Sequence, residues 1–176
     1  MNAVPQIFST SRAEAAVFRF PPLFFPIVIT LALILQAYLP VVAHPAVYLD
    51  LPLLVVIYWA ITSRNQASAS LLGALLGLAQ DSLSHLALGV NGFAKTLIGY
   101  LDASFGLRMD ADHTGVRILA VFACYELNRG VLYAFERFLL GTPVEWHGGA
   151  TALAAVVNAL LAAAVFRGMD RFRFWV

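Results

Sequence analysis

Charge is scarce in this chain. Asp, Glu, Lys and Arg make up 12% of its 176 residues, where a soluble domain carries about a quarter. The basic and acidic residues nearly cancel at +1, which excludes the basic surface of a nucleic-acid binder. Cysteine is nearly absent: Cys124 stands alone in an apolar run, so one chain can build neither a disulfide framework nor a thiolate metal cluster. The four histidines, His44, His85, His113 and His147, are scattered over different segments without metal-ligand spacing. No glycine-rich phosphate loop occurs. Ser82 and Ser84 lie near His85, but no third group or elbow motif supports a nucleophile. The expectation is a protein that is not an enzyme and has no cofactor and no metal.

What the chain has in abundance is apolar length. Hydrophobic residues make up 61%, mean hydropathy is +0.80, and they fall in long blocks, the pattern of a polytopic membrane protein. The reading is all-α with six transmembrane helices in one domain, residues 21–170. A mixed polar leader (1–20) precedes it and a short basic tail (171–176) follows. The spans are expected at about 23–43, 51–61 (long enough if counted from Ala46), 67–88, 93–107, 115–140 and 150–169. Val41-Val42-Ala43 has the look of a signal-peptide cleavage site, but the apolar run before it is too long and Pro45 follows. The first span is therefore read as retained. Tyr58 and Trp59 suit an aromatic belt, and Gly89 to Gly92 reads as a tight turn. The fourth span is the short one: fifteen residues at 1.5 Å each reach only about 22 Å, against a hydrocarbon core of roughly 30 Å.

Six spans place both termini and the Arg64 and Arg108 loops on one side. That side collects Arg12, Arg19, Arg64, Arg108, Arg117, Arg167, Arg171 and Arg173, eight of eleven basic residues. The opposite side holds Arg137, and Lys95 if it snorkels. By the positive-inside rule both termini should be cytoplasmic.

The polar residues inside the spans are the candidates for function. Ala69, Gly73, Gly77, Asp81 and His85 recur at intervals of four. Such a ridge drifts about 40° per step on a straight helix, and a neighbour crossing at a GxxxG angle can follow it. The ridge then serves helix packing or a partner contact, and it leads directly to Asp81. An acid at mid-span costs about 2.5–3.5 kcal/mol on insertion scales, so it needs a partner. The open choices are His85 on its own helix, Lys95 across the turn and Arg129 on the fifth helix. A proton or ion path through Asp81 and His85 is the alternative to a structural lock. Glu126, Arg129 and Tyr133 share a face, so Glu126 can pair with Arg129 instead. Lys95 and Asp102, seven apart, share a face of the fourth helix. Together Asp81, Lys95, Glu126 and Arg129 form an expected buried polar cluster. In the sixth helix Ala155, Ala159 and Ala163 make a small-residue ridge beside Asn158, whose amide can hydrogen-bond across a helix contact.

Several of these segments resemble the bacterial rod-shape-determining membrane protein family MreD. Leu51 to Trp59 (LPLLVVIYW) is similar to the family's second helix with its closing Tyr-Trp pair. Gly73 to Asp81 resembles its glycine-containing helix with a G-x-x-x-D core. Leu88 to Gly92 (LGVNG), with Asn91, resembles the turn after it, and Leu97 to Leu101 (LIGYL) the next helix. Val156-Val157-Asn158-Ala159 and the basic C-terminus resemble the last. The likeness is close over residues 46–104 and a matter of layout elsewhere. One departure is Asp50-Leu51-Pro52, where many relatives carry Pro-Asp. The resemblance implies an inner-membrane scaffold of the elongation machinery, working beside MreC and with MreB, RodA and a class B penicillin-binding protein during lateral peptidoglycan synthesis. It also implies a fold similar to the substrate-capture subunits of vitamin-uptake transporters. The alternative function follows from that: a small-molecule-binding transport subunit, with Asp81, Arg129 and Glu126 lining a pocket.

Overall fold

A computed structural model describes residues 21, 23–43, 47–84, 87–106, 113–141, 143 and 146–172. The leader, His85 and most of the basic tail lie outside them. Six α-helices follow one another, with no strand among the described residues: α1 (Phe24–Val42), α2 (Leu51–Ser63), α3 (Gln66–Ser84), α4 (Val90–Gly106), α5 (Thr114–Ala134, continued by a π-helical turn at Phe135–Leu139) and α6 (Gly148–Asp170). Three are long and apolar enough to cross a membrane: α1, α5 with its π turn, and α6. The six expected helices are present. Of the other three, α2 is short, and α3 and α4 do not combine that length with that hydropathy.

Local signals explain where the helices start. Asp50 caps α2, its carboxylate accepting from the Leu53 N–H at 3.1 Å, and Pro52 sits in the first turn, where its missing N–H costs nothing. Asn65 does the same for α3, its side chain accepting from the Ser68 N–H at 3.1 Å. The α2–α3 connection is only Arg64 and Asn65, and it closes through a left-handed Arg64 (φ 50°). The expected turn at Gly89 to Gly92 is shorter than read. Gly89 takes φ +100°, and α4 begins at Val90, so Asn91 and Gly92 form its first turn. That lengthens α4 to 17 residues, about 25 Å at 1.5 Å each, still short of the hydrocarbon core.

The helices alternate in direction, and their outward faces are apolar. Ile27, Leu31 and Ile34 on α1, Leu71 and Leu75 on α3, and Leu153, Val157 and Leu160 on α6 are all exposed. A soluble protein rarely shows such continuous apolar faces; lipid tails accept them. The interior holds α2 and α4. Residues 52–58 of α2 are buried without interruption, and α4 packs between α2, α3 and α5.

Tyr58 does not form an aromatic belt. It is 1% exposed, stacks on Phe166 with ring centroids 5.2 Å apart, and donates to Asp170 Oδ1 at 3.0 Å. Arg117 Nη1 bonds the other Asp170 oxygen at 2.6 Å, closing that end of the bundle across α2, α5 and α6. A Tyr-Trp pair marks an interface only on a lipid-facing helix, and residues 52–58 of α2 are enclosed.

A buried polar core as the candidate functional site

The glycine ridge of α3 meets α4 backbone to backbone. A β-carbon at Gly73 would overlap the Lys95 carbonyl, one at Gly77 the Asn91 carbonyl and the Gly92 Cα, and one at Gly99 the Ala69 carbonyl. Ala69, Gly73 and Gly77 thus interlock with Asn91, Lys95 and Gly99, both sets spaced by four. The neighbour that follows the ridge is an internal helix.

Asp81 ends this ridge, 1% exposed. Its Oδ2 accepts from the N–H groups of Gly89 (2.8 Å) and Gly92 (3.3 Å). Its Oδ1 accepts from the Asn91 N–H (3.2 Å) and the Asn91 Nδ2 (2.8 Å). The first N–H groups of a helix have no partner within it, and the positive end of its dipole attracts an anion. Asp81 is therefore the N-terminal cap of α4, supplied from α3. Neither Lys95 nor Arg129 is its direct partner; His85, the third choice, lies outside the described residues.

Lys95 is fully buried and pairs with Asp50, Nζ to Oδ2 at 2.8 Å. It also donates to Asn91 Oδ1 at 3.3 Å, which links it to Asp81 through one amide. Asn128 of α5 donates to the same Asp50 oxygen at 3.2 Å. Asn158 of α6, 0% exposed, accepts from the Asp50 N–H at 3.0 Å and donates to the Tyr48 carbonyl at 2.9 Å. Tyr125 donates to that same carbonyl at 2.7 Å. From α1, Gln36 grips both sides of the connection: Nε2 donates to the Leu49 carbonyl and Oε1 accepts from the Leu51 N–H, each at 2.9 Å. Residues 48–51 are thus held by α1, α4, α5 and α6, with Asp50 at the centre.

Two expected members of the cluster sit at its edge, with no hydrogen bond to Asp50, Asp81 or Lys95 among the described residues. Glu126 is half-buried and Arg129 exposed, and among the described residues no ion pair joins them. The buried face of α5 is Arg117, Val121, Cys124, Tyr125 and Asn128, so the charges at 126 and 129 flank it. Asp50 and Asn128 were the missed residues. For Asp50 the signal was present: an acid before Leu-Pro and an apolar run reads as a helix cap. For Asn128 it was only the spacing of the α5 face. Among the described residues no group of His, Cys, Asp and Glu could hold a metal ion.

Two of the buried carboxylates are met by partners of suitable sign: Asp81 by a helix N-terminus, Asp50 by Lys95. Asp81→Ala should therefore leave buried N–H donors unmet, at about 1–3 kcal/mol for such a group, whereas Asp81→Asn keeps one accepting oxygen. Thermal unfolding in detergent should rank wild type above Asn above Ala; equal midpoints for the two variants would contradict the capping role.

The fold and this core define a helical membrane protein whose intramembrane charges lock helices together. The family described as rod shape-determining protein MreD matches residues 17–142, most of the chain and all of α1 to α5. The chain belongs to the MreD family, a membrane family of the system that determines rod shape. No curated protein and no solved structure matches it.

Proposed function

We propose that the chain is an integral-membrane scaffold of the elongation machinery, holding rod shape by positioning other proteins during lateral peptidoglycan synthesis. Its working partner is MreC, with MreB, RodA and a class B penicillin-binding protein in the same assembly. It sits in the bacterial inner membrane with six helices traversing the bilayer region and both termini cytoplasmic, in line with the distribution of arginines. The short α2 and α4 are carried there by the longer α1, α5 and α6 around them.

The observation that carries this reading is the closure of the polar core within an MreD-family chain. Asp81, Lys95 and Asp50 are 1%, 0% and 7% exposed and bonded to one another's neighbours, which suits a lock and leaves no open reacting group there. The transport-subunit alternative needs Asp81, Arg129 and Glu126 around one pocket. Of these only Arg129 lines the cavity at the Asp50 end.

Depleting the protein in a rod-shaped host should give round cells that still septate, seen by phase-contrast microscopy; unchanged rods would overturn the reading. Detergent pull-down should recover MreC with the wild-type chain. For the alternative, uptake of a radiolabelled vitamin should be the same with and without the protein.

A further inference from the structure

A cavity of about 350 Å³ opens between α1, α3 and α5 beside the 48–51 connection. One wall is apolar, with Leu33 and Ala37 of α1, Leu83 of α3 and Leu132 of α5. Most of its polar groups are spent. Gln36 is bonded at both ends of its amide, Asp50 is neutralised by Lys95, and Asn91 serves Asp81 and Lys95. Two are not. The Gln80 Oε1 is buried with no hydrogen-bond partner, and the exposed Arg129 has no ion-pair partner among the described residues. Arg129 also borders the neighbouring cleft lined by Glu136 and His147, and no ion pair joins it to Glu136 there.

An unmet buried acceptor calls for a donor, and a free guanidinium calls for a planar or tetrahedral oxyanion that it can grip with two N–H groups. Asp50, the one acid lining the cavity among the described residues, is already compensated by Lys95, and Arg129 is the cation that borders it. We propose that this cavity binds a phosphate ester that carries free hydroxyls, the phosphate on Arg129 and a hydroxyl donating to Gln80. A phospholipid with a polyol headgroup and a soluble polyol phosphate share that chemistry. The apolar wall gives the lipid's chains a path out along α1 and α3.

Native mass spectrometry of the full chain in detergent tests this, with phosphatidylglycerol and phosphatidylcholine added at equal concentration. The wild type should retain phosphatidylglycerol over phosphatidylcholine by roughly tenfold, the scale of meeting one buried acceptor that is otherwise left unsatisfied. Gln80→Leu should abolish that preference, since phosphatidylcholine has a phosphate for Arg129 but no hydroxyl to offer, and Arg129→Gln should weaken retention of both lipids. Arg137→Gln, an exposed charge away from the cavity, should leave it intact and thereby exclude loose attraction to any surface arginine. Glycerol 3-phosphate raising the melting temperature as much as phosphatidylglycerol does, and only with Arg129 present, would assign the same site to a soluble ester. Equal retention of the two lipids by the wild type, with no stabilisation by glycerol 3-phosphate, would overturn the proposal. So would a preference that survives in Gln80→Leu, or retention unchanged in Arg129→Gln.

Discussion

Lys95→Ala should destabilise the protein by about 3–5 kcal/mol, the cost of removing one partner of a buried ion pair. The amine is fully buried and bonded to Asp50 Oδ2 at 2.8 Å, so its loss strands a carboxylate inside the bundle. Asn128 and the Leu53 N–H would then face that charge, and neither carries a full opposite charge. The loss should spread, because Asp50 also caps α2 and anchors the connection gripped by Gln36 and Asn158. A second change should reverse most of it. In Lys95→Met with Asp50→Asn the charge is gone, an accepting oxygen remains for the Leu53 N–H, and a flexible apolar chain fills the space. Swaps of buried pairs for uncharged groups are often neutral, so this double variant should melt well above Lys95→Ala. Thermal unfolding followed by size-exclusion chromatography in detergent would show both. A Lys95→Ala protein as stable as the wild type would mean that the pair is dispensable.

The second large effect concerns the α3–α4 seam. Gly73→Ala and Gly77→Ala should each cost about 1–3 kcal/mol or more, the range for overpacking a closed interior. The added carbon at either position meets backbone of α4, which cannot rotate away as a side-chain tip can. Combined, the two should exceed the single values in an interdependent way, because both push the same helix. The control is Gly130→Ala on α5, which faces open space. There alanine should stabilise by about 0.5–1 kcal/mol through helix propensity alone. The opposite signs separate close packing from any general effect of glycine. Similar melting shifts at all three positions would contradict the seam.

Much of this was legible in the sequence. The apolar blocks gave helix positions to within a few residues, and the four-residue ridge from Ala69 to Asp81 pointed to a close helix contact. What spacing could not supply was the identity of the neighbour, since α4 follows α3 in the chain but α5 carried more charge. Charge points to Glu126 and Arg129, which flank the buried face of α5. The buried face shows as Arg117, Val121, Cys124, Tyr125 and Asn128, a mixed set whose common feature is position. Asp81 was legible as a buried acid, but its partners are mainly backbone N–H groups, which no pairing of side chains reveals. Asp50 stands out in the sequence only as the acid of Asp50-Leu51-Pro52. Its burial depends on four other helices closing over the connection, a tertiary fact.

The most direct measurement of an architectural polar core is shape complementation. A rod-shaped host depleted of its own protein would express the Lys95→Met, Asp50→Asn double variant, with membrane insertion checked by immunoblot and folding by detergent melting. If these groups lock helices, the inserted and folded double variant should restore rods as the wild type does. Round cells carrying a folded double variant would show that the Asp50–Lys95 pair has a role beyond holding the bundle together.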